Sequence, residues 1–483
     1  MALRKTLETV VYPKLPVAMQ NALVSTQGLI FRRRRFSPNF HAELARAIDR
    51  ANWSADRLTA WQVETARDFL RHAGASPYWG KRFVDAGFDV ESFRAPEDIR
   101  RVPILEKVDL RHRAYEIAHP GLALGKLYPV HTSGTTGAPI SVASTAQDQQ
   151  RRMAYLYRMF ALFGIAPMTR SVRFSGRTLF PGAARNRIFW RMNVPMNQML
   201  MSSYDLHPDN LPAYVARLAR FRPELIDGYP SSIFVLARFI NASGEAGRIR
   251  PRAVMTTAET LEDHQRDEIS RAFGGCPVIN QYASSEGAPF ITQDTNGEMV
   301  VNTDTGIFEF VRPGTDEPAA PGELAEMLLT SFTTHAHPLI RYRIGDSVVL
   351  PSAPRHSRVW DMPVVENILG RQEDVLFTPE RGYVGRLDPV FKKSPSTIVE
   401  SQIVQTAPMA ITLRVVPDRS HGYHPDQLIG IMDELRQRLG DIAIKIEEVE
   451  ALPRGANGKL RAVIGLPAKG GAARAEQQAG AGA

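Results

Sequence analysis

The residues best suited to chemistry begin with the run Val130-His131-Thr132-Ser133-Gly134-Thr135-Thr136-Gly137-Ala138-Pro139-Ile140. Gly134 and Gly137 let the backbone turn successive N–H groups into one concavity, and the hydroxyls of Ser133, Thr135 and Thr136 add donors around it. Such a concavity is a cradle for phosphate. The apolar residues from Leu127 to Val130 predict a strand before it and Ser144 onward predicts a helix start. That arrangement sets the loop where anion-binding turns are found. Taken alone, such a run is more often an ordinary turn. No lysine follows the second glycine, so it is not the common nucleotide-binding P-loop.

The elements that would position this loop alternate in kind. After it, Thr145 to Phe163 predicts a long helix. Leu211–Phe221 and Ser232–Asn241 predict helices on either side of a short strand at Leu225–Ile226, which ends in Gly228-Tyr229-Pro230. Ala253–Glu259 repeats the strand-then-loop form, Leu261–Phe273 reads as a helix capped by Thr260, and Val278–Tyr282 as a strand. This alternation predicts an α/β layer with largely parallel strands. From Phe290 to Val349 the texture changes to antiparallel segments around Val300-Val301, Ile307–Val311, Ala325–Leu329 and Ser347–Leu350. Past Gly370, strands near Val399–Gln405 and Ile411–Val416, a helix at Asp426–Leu439 and a strand at Ile442–Ile446 predict a small α+β unit. Upstream, Leu44, Ala47, Ile48, Trp53, Leu58, Trp61 and Phe69 have helical spacing, broken near Asn52 and Ser54. The aromatic and methionine residues of Phe174–Phe180 and Phe189–Met201 could line a pocket for an apolar acid, but such clusters are usually core.

A chain of 483 residues exceeds one ordinary core, so several domains are expected. Its 43% hydrophobic and 23% charged content is that of a soluble globular protein. The net charge of +8 suits acidic small partners such as nucleotides or coenzyme A; nothing points to nucleic acid. One cysteine, Cys276, excludes an internal disulfide and a cysteine-based zinc site, which fits a reducing, cytoplasmic setting. No apolar run approaches the roughly 18 residues of a membrane span. Leu15–Phe36 is mildly apolar and ends in Arg32, Arg33, Arg34 and Arg35, an order opposite to that of a signal peptide. A solvated helix end is the expectation there, with contact to a membrane surface or an acidic partner as the alternative.

Five separated segments then fall into one order: Thr132–Pro139; Gln281-Tyr282-Ala283-Ser284-Ser285-Glu286; Arg341-Tyr342-Arg343-Ile344-Gly345-Asp346; Gly370-Arg371-Gln372-Glu373-Asp374; and Leu452-Pro453-Arg454-Gly455-Ala456-Asn457-Gly458-Lys459. They resemble the successive core motifs of adenylate-forming enzymes. Leu15-Pro16 to Arg35, Val102–Lys107, Gly228–Ser232 and Ala258-Glu259 further resemble the phenylacetate-CoA ligase-like branch, including its capsule-biosynthesis (CapK-like) relatives. The resemblance spans about residues 15 to 466.

The fold it implies is α/β: a large N-terminal adenylation domain of several subdomains with mixed sheets, followed by a small mobile α+β C-terminal domain. The divisions would be a helical accessory region at 1–75, the adenylation core at 76–369, the C-terminal domain at 370–466 and a disordered tail at 467–483. The implied activity is ATP- and Mg²⁺-dependent activation of a small-molecule carboxylic acid as an acyl-adenylate, usually followed by transfer to coenzyme A. Lys459, projected as a point cation by the Asn457-Gly458 turn, would be the catalytic lysine between acyl carboxylate and ribose or α-phosphate. Glu286 would hold Mg²⁺, because a carboxylate beside a triphosphate is repulsive without a metal between them. Ser285 would touch the α-phosphate, Tyr282 pack on adenine, and Ala258 and Glu259 border it. Asp346 would accept from both ribose hydroxyls, with Arg371 as an added donor. Glu373 would occupy the hinge.

Three departures stand out. Ile140 replaces a lysine common in the phosphate loop, Ala283 replaces a usual glycine, and Val375–Gly382 lacks the paired glycines of many acyl-CoA synthetases. The last leaves an acyl-carrier protein or an amine as alternative acceptors, and a nucleotide-binding relative without turnover as a third reading. His335 and His337 have no further ligand pattern for a metal. Oligomeric state is open, a homodimer among the options.

Overall fold

The structure is a computed structural model that describes residues 11–122, 127–131, 141–175, 188–203, 205–206, 208–371, 376–379, 382–384, 387, 397–419, 422–453 and 460–466. Helices α1 (Val17–Arg35), α2 (Pro38–Ala51), α3 (Ala55–Gly74) and α4 (Pro77–Asp85) open the chain. The break expected near Asn52 and Ser54 is a cap: the Ser54 side chain accepts from the Arg57 N–H, satisfying an orphan donor of α3.

Strands β1 (Tyr128–His131) and β2 (Ser141–Ser144) form an antiparallel hairpin with Val130 opposite Val142 and His131 opposite Ser141. Helix α5 (Ala146–Leu162) follows, capped by Thr145, whose side chain accepts from the Asp148 N–H. The glycine-rich run therefore joins two antiparallel strands, not a strand and a helix. The four-residue Ser-Val-Ala-Ser strand is too short and polar to declare itself without its partner.

A nine-stranded sheet carries the middle of the chain, in the order β14-β10-β9-β8-β7-β6-β3-β5-β4. These are β3 (Ser171–Ser175), β4 (Trp190–Asn193), β5 (Gln198–Ser202), β6 (Leu225–Gly228), β7 (Ala253–Thr256), β8 (Val278–Tyr282), β9 (Ile291–Gln293), β10 (Met299–Val301) and β14 (Val364–Val365). The five central strands β5, β3, β6, β7 and β8 are parallel; the alternation of elements predicts β6, β7 and β8, and the structure adds β3 and β5 from the turn-rich stretch before them. Helices α6 (Leu211–Phe221), α7 (Pro230–Ala242) and α8 (Asp263–Ala272) are the crossovers. Helix α8 begins behind Glu262 rather than Thr260. The core here contains Phe174, Phe189, Met199, Met201 and Tyr214, with Trp190 and Met192 half-buried against it, so most of the described aromatic and methionine residues of this stretch serve as core. Cys276 is buried beside them, and burial pushes its thiol up to about 12, leaving it unreactive at neutral pH.

A four-stranded antiparallel sheet, β11 (Gly306–Val311), β12 (Leu324–Ser331), β13 (Tyr342–Val349) and β15 (Asn367–Arg371), packs under α3 and α4. Helices α2, α3 and α5 are tied to this part by a buried network. Arg158 grips both oxygens of Asp304 at 2.7 and 3.0 Å, Arg50 reaches the same carboxylate at 3.2 Å, and Gln62 Nε2 donates to the Gly306 carbonyl at 2.7 Å.

After β16 (Leu376–Thr378) and β17 (Gly382–Val384) comes a sheet of order β20-β19-β18-β21: β18 (Ile398–Ala407), β19 (Ala410–Pro417), β20 (Ala443–Glu448) and β21 (Val463–Ile464). Helix α9 (Ile429–Leu439) covers it, and the unit has its own apolar core around Ile403, Leu413, Ile431 and Leu435. No described helix is long and apolar enough to cross a membrane.

Candidate active site

In open parallel sheets, ligands bind beyond the carboxyl ends of the strands. Here β8 ends at Tyr282 and the chain turns through Ala283–Gly287. The Tyr282 hydroxyl donates to Asp346 Oδ2 at 2.7 Å. Burial, then the neighbouring Asp346 carboxylate, hold the Tyr282 phenol well above its ordinary value, so it remains a donor. Asp346 lies on β13 directly opposite Arg371 on β15. Three expected nucleotide contacts therefore meet on two adjoining sheets. Ser285 is exposed and Glu286 half-buried, and among the described residues no hydrogen bond or ion pair engages the Glu286 carboxylate.

A residue the sequence did not announce holds this turn. Arg152, on α5, donates to the carbonyls of Ala288 at 2.7 Å and Ser284 at 3.2 Å and to Thr333 Oγ1 at 3.1 Å, and lies over the Phe290 ring. Burial pulls its guanidinium down to about 10, while Asp148 and Glu286 oppose the shift; it stays charged at neutral pH. Gly287 has φ of 106°, and a Cβ there would meet Thr334 Cγ2 at 2.6 Å, so both conformation and space require glycine. Ser331 Oγ donates to the Gly287 carbonyl at 2.6 Å.

The same stretch braces the β1–β2 hairpin. The Ala143 N–H donates to His337 Nδ1 at 3.0 Å, and Asp148, beside the start of α5, accepts from the His335 N–H at 3.1 Å and pairs with its Nδ1 at 2.6 Å. His335 and His337 thus serve as struts. A single segment, Ser331–His337, links the hairpin stem to the turn that carries Glu286. Lys107, the last residue of the Val102–Lys107 motif, has no role assigned from the sequence: its Nζ lies 3.1 Å from where a Cβ on Gly345 would stand, next to Asp346.

At the ends of β6 and β7, Ala258 takes a left-handed φ of 71° and is exposed. Glu259 Oε2 accepts from the Ser231 N–H at 3.2 Å, and its Oε1 from the Leu460 N–H at 2.8 Å. Leu460 directly follows Lys459 in the sequence, so Glu259 clasps the segment adjoining the expected catalytic lysine. Arg238 on α7 donates to the Ile398 carbonyl across the same seam. Nearby, Ser203 Oγ, Asp227 Oδ1, Ser231 Oγ, Ser232 Oγ and Gln281 Oε1 are buried with no hydrogen-bond partner among the described residues. Buried polar atoms at strand ends that find no protein partner suit a polar ligand. Burial pushes the Asp227 carboxyl up, with Arg173 opposing.

Ser133, Gly134, Thr135, Thr136, Gly137, Glu373 and Lys459 lie outside the described residues, as does the Arg371 side chain. Among the described residues no three of His, Cys, Asp and Glu gather as a metal-ligand set. A divalent ion at Glu286 would therefore draw its other ligands from phosphate and water, the usual habit of magnesium.

Residues 376–465 match the family described as the CapK C-terminal domain. Over 398 residues, 82% of this chain and 85% of its relative, the sequence is 32% identical to Protein CapK of Staphylococcus aureus. The chain belongs to the CapK family. This CapK-family chain thereby sits in the phenylacetate-CoA ligase-like branch of the adenylate-forming superfamily. It is 28% identical to phenylacetate-coenzyme A ligase of Escherichia coli (strain K12) over 67% of its own length and 73% of that enzyme. Its fold is that of 2-hydroxyisobutyryl-CoA ligase, solved in the postadenylation state: the TM-score is 0.69 at 18% identity, covering 89% of this chain and 94% of that one.

Proposed function

We propose that this chain is an ATP- and Mg²⁺-dependent acid–thiol ligase. It joins the carboxylate of an aryl or otherwise apolar acid to AMP, releases pyrophosphate, and passes the acyl group to coenzyme A. The observation that carries this reading is the 2.7 Å hydrogen bond between Tyr282 and Asp346, 64 residues apart in sequence, with Glu286 one turn beyond. Their proximity at the strand end supports an aromatic ring for adenine, a carboxylate for ribose and a carboxylate for the metal in one site.

In this reading Asp346 and Arg371 hold the ribose. The backbone of Ala258 and Glu259 and the ring of Tyr282 frame the adenine, Ser285 touches the α-phosphate, and Ser133 to Gly137 cradle the phosphates that leave. Glu286 fits a magnesium ion, being half-exposed and without another described partner. Such an ion offsets the charge of the triphosphate. Lys459 meets the same need on the acyl side. Two like unit charges at 4 Å cost about 1 kcal/mol in water and about 4 kcal/mol at an effective dielectric of 20, so a dry site needs a cation between them. A division near residue 370, with Glu373 at the hinge, lets the C-terminal domain withdraw Lys459 after adenylation and admit the thiol.

The test is acid-dependent ATP–pyrophosphate exchange over a panel of aryl and fatty acids, followed by addition of coenzyme A and detection of a thioester. The absence of paired glycines in Val375–Gly382 favours a second acceptor, the phosphopantetheine of a carrier protein or an amine. A carrier-dependent mass shift without a coenzyme A thioester identifies that case.

A further inference from the structure

The opposite end of the parallel sheet, where its strands begin, is basic and partly apolar. Helix α1 lies along β4, with Gln20, Val24 and Gly28 buried against it. Its outward side is as apolar as its inward one: Met19, Leu23 and Ile30 are 52%, 49% and 59% exposed, and Val194, beside the helix, is 69% exposed. A helix apolar on all sides ordinarily has both faces covered. Hydrogen bonds carry this corner into the sheet's lower edge. Arg32 donates to the Pro195 carbonyl at 3.2 Å, Asn197 to the Met168 carbonyl at 3.1 Å, and Arg170 to the Arg222 carbonyl at 2.7 Å.

There a groove of ≈ 770 Å³ opens, lined by Arg170, Arg220, Arg222, Arg248 and Arg250 against one carboxylate, Glu224. Glu224 is already paired with Arg252 at 3.1 Å, and Glu245 with Arg248 at 2.6 Å. Among the described residues Arg32, Arg33, Arg170, Arg220, Arg222 and Arg250 have no carboxylate within ion-pair distance.

We infer that this face docks on an anionic lipid bilayer, α1 and Val194 entering the interface while the arginines meet headgroups, with the strand-end site directed away from it. Exposed aliphatic side chains beside a belt of unpaired arginines are the composition that such surfaces bind. A second copy fits less well. Helix α1 contains no Asp or Glu, so two copies packed through it would bring Arg32–Arg35 no counter-charge. Nucleic acid fits less well because the exposed apolar groups of this face are aliphatic, without rings to stack on bases. The inference stands apart from the reading of the active site.

The test is co-sedimentation of the full chain with phosphatidylcholine vesicles, with and without about one-third phosphatidylglycerol, at low and high salt. Binding should require the anionic lipid and weaken with salt. Each arginine near the surface contributes roughly fivefold. The triple variant Arg33→Glu/Arg220→Glu/Arg250→Glu should therefore lose at least about a hundredfold, and Ile30→Asp/Val194→Asp should also lose binding, both with unchanged melting temperature. Equal partition onto neutral and anionic vesicles, or none onto either, overturns the inference. So does a dimer that Ile30→Asp dissociates, tighter salt-resistant binding to nucleic acid, or lipid binding seen only after residues 1–10 are deleted, which would assign the face to that segment.

Discussion

Removing the Glu259 carboxylate separates closure of the C-terminal unit from nucleotide binding. Its Oε1 accepts from Leu460 N–H at 2.8 Å, across the seam, and its Oε2 from Ser231 N–H at 3.2 Å, within the large domain. A hydrogen bond to a charged group contributes about 1.5–3 kcal/mol net. Of these two described bonds, the Leu460 one depends on how the C-terminal unit is seated, and its loss should shift the closed-to-open ratio by about 10- to 150-fold. On the proposed swing of the C-terminal domain between two reactions, the two seatings lie near balance and most of that shift should reach the rate. Glu259→Ala should therefore slow acid-dependent ATP–pyrophosphate exchange about 10- to 100-fold while ATP affinity, read by calorimetry, changes no more than about threefold. Glu259→Gln keeps a carbonyl acceptor worth about 0.5–1.5 kcal/mol and should fall between. Exchange unaffected in Glu259→Ala, or lost in step with ATP affinity, refutes the reasoning.

Lys459→Ala should cut exchange by about 10² to 10³, the scale of one preorganised charge, with an unchanged circular dichroism spectrum; wild-type exchange would remove Lys459 from the mechanism. Asp304→Ala leaves Arg158 and Arg50 as buried cations without their shared anion and should cost about 3–5 kcal/mol, read as a lowered urea midpoint. Asp227→Asn tests the raised carboxyl. Because its folded pKa exceeds the unfolded value of about 3.9, stability is lost as pH rises from about 4 through the folded pKa, and the cost is complete above it. The variant should therefore melt higher than wild type at pH 7 and equally at about pH 4; the same difference at both would contradict the assignment.

Strands β6, β7 and β8 were legible because each is a short run closed by glycine, proline or a polar loop, as Leu225–Gly228 is by Tyr229-Pro230; β3 and β5 were not, since Ser171, Arg173 and Ser175 dilute the first and turn signals surround the second. The C-terminal unit declared itself through two long alternating strands and an amphipathic helix. Strand β2 did not, since Ser141 and Ser144 dilute its pattern and its partner β1 lies across the intervening loop. The start of α8 slipped because Thr260 and Glu262 both offer capping oxygens and only the fold chooses between them. Among site residues, Tyr282, Glu286 and Asp346 stood out through ordered motifs. Arg152 carries no local signal, being a helical arginine among several, and Lys107, though it closes the Val102–Lys107 motif, gives no sign of where its ammonium group goes. Their roles arise from contacts with segments more than a hundred residues away.

The most direct measurement of the central claim is ATP–pyrophosphate exchange by the wild-type chain, with magnesium, across a panel of aryl and aliphatic acids. The account predicts exchange that depends on at least one apolar acid and on magnesium, and that Glu286→Gln abolishes. ATP binding without exchange for any acid, or exchange indifferent to magnesium and to Glu286, would contradict it.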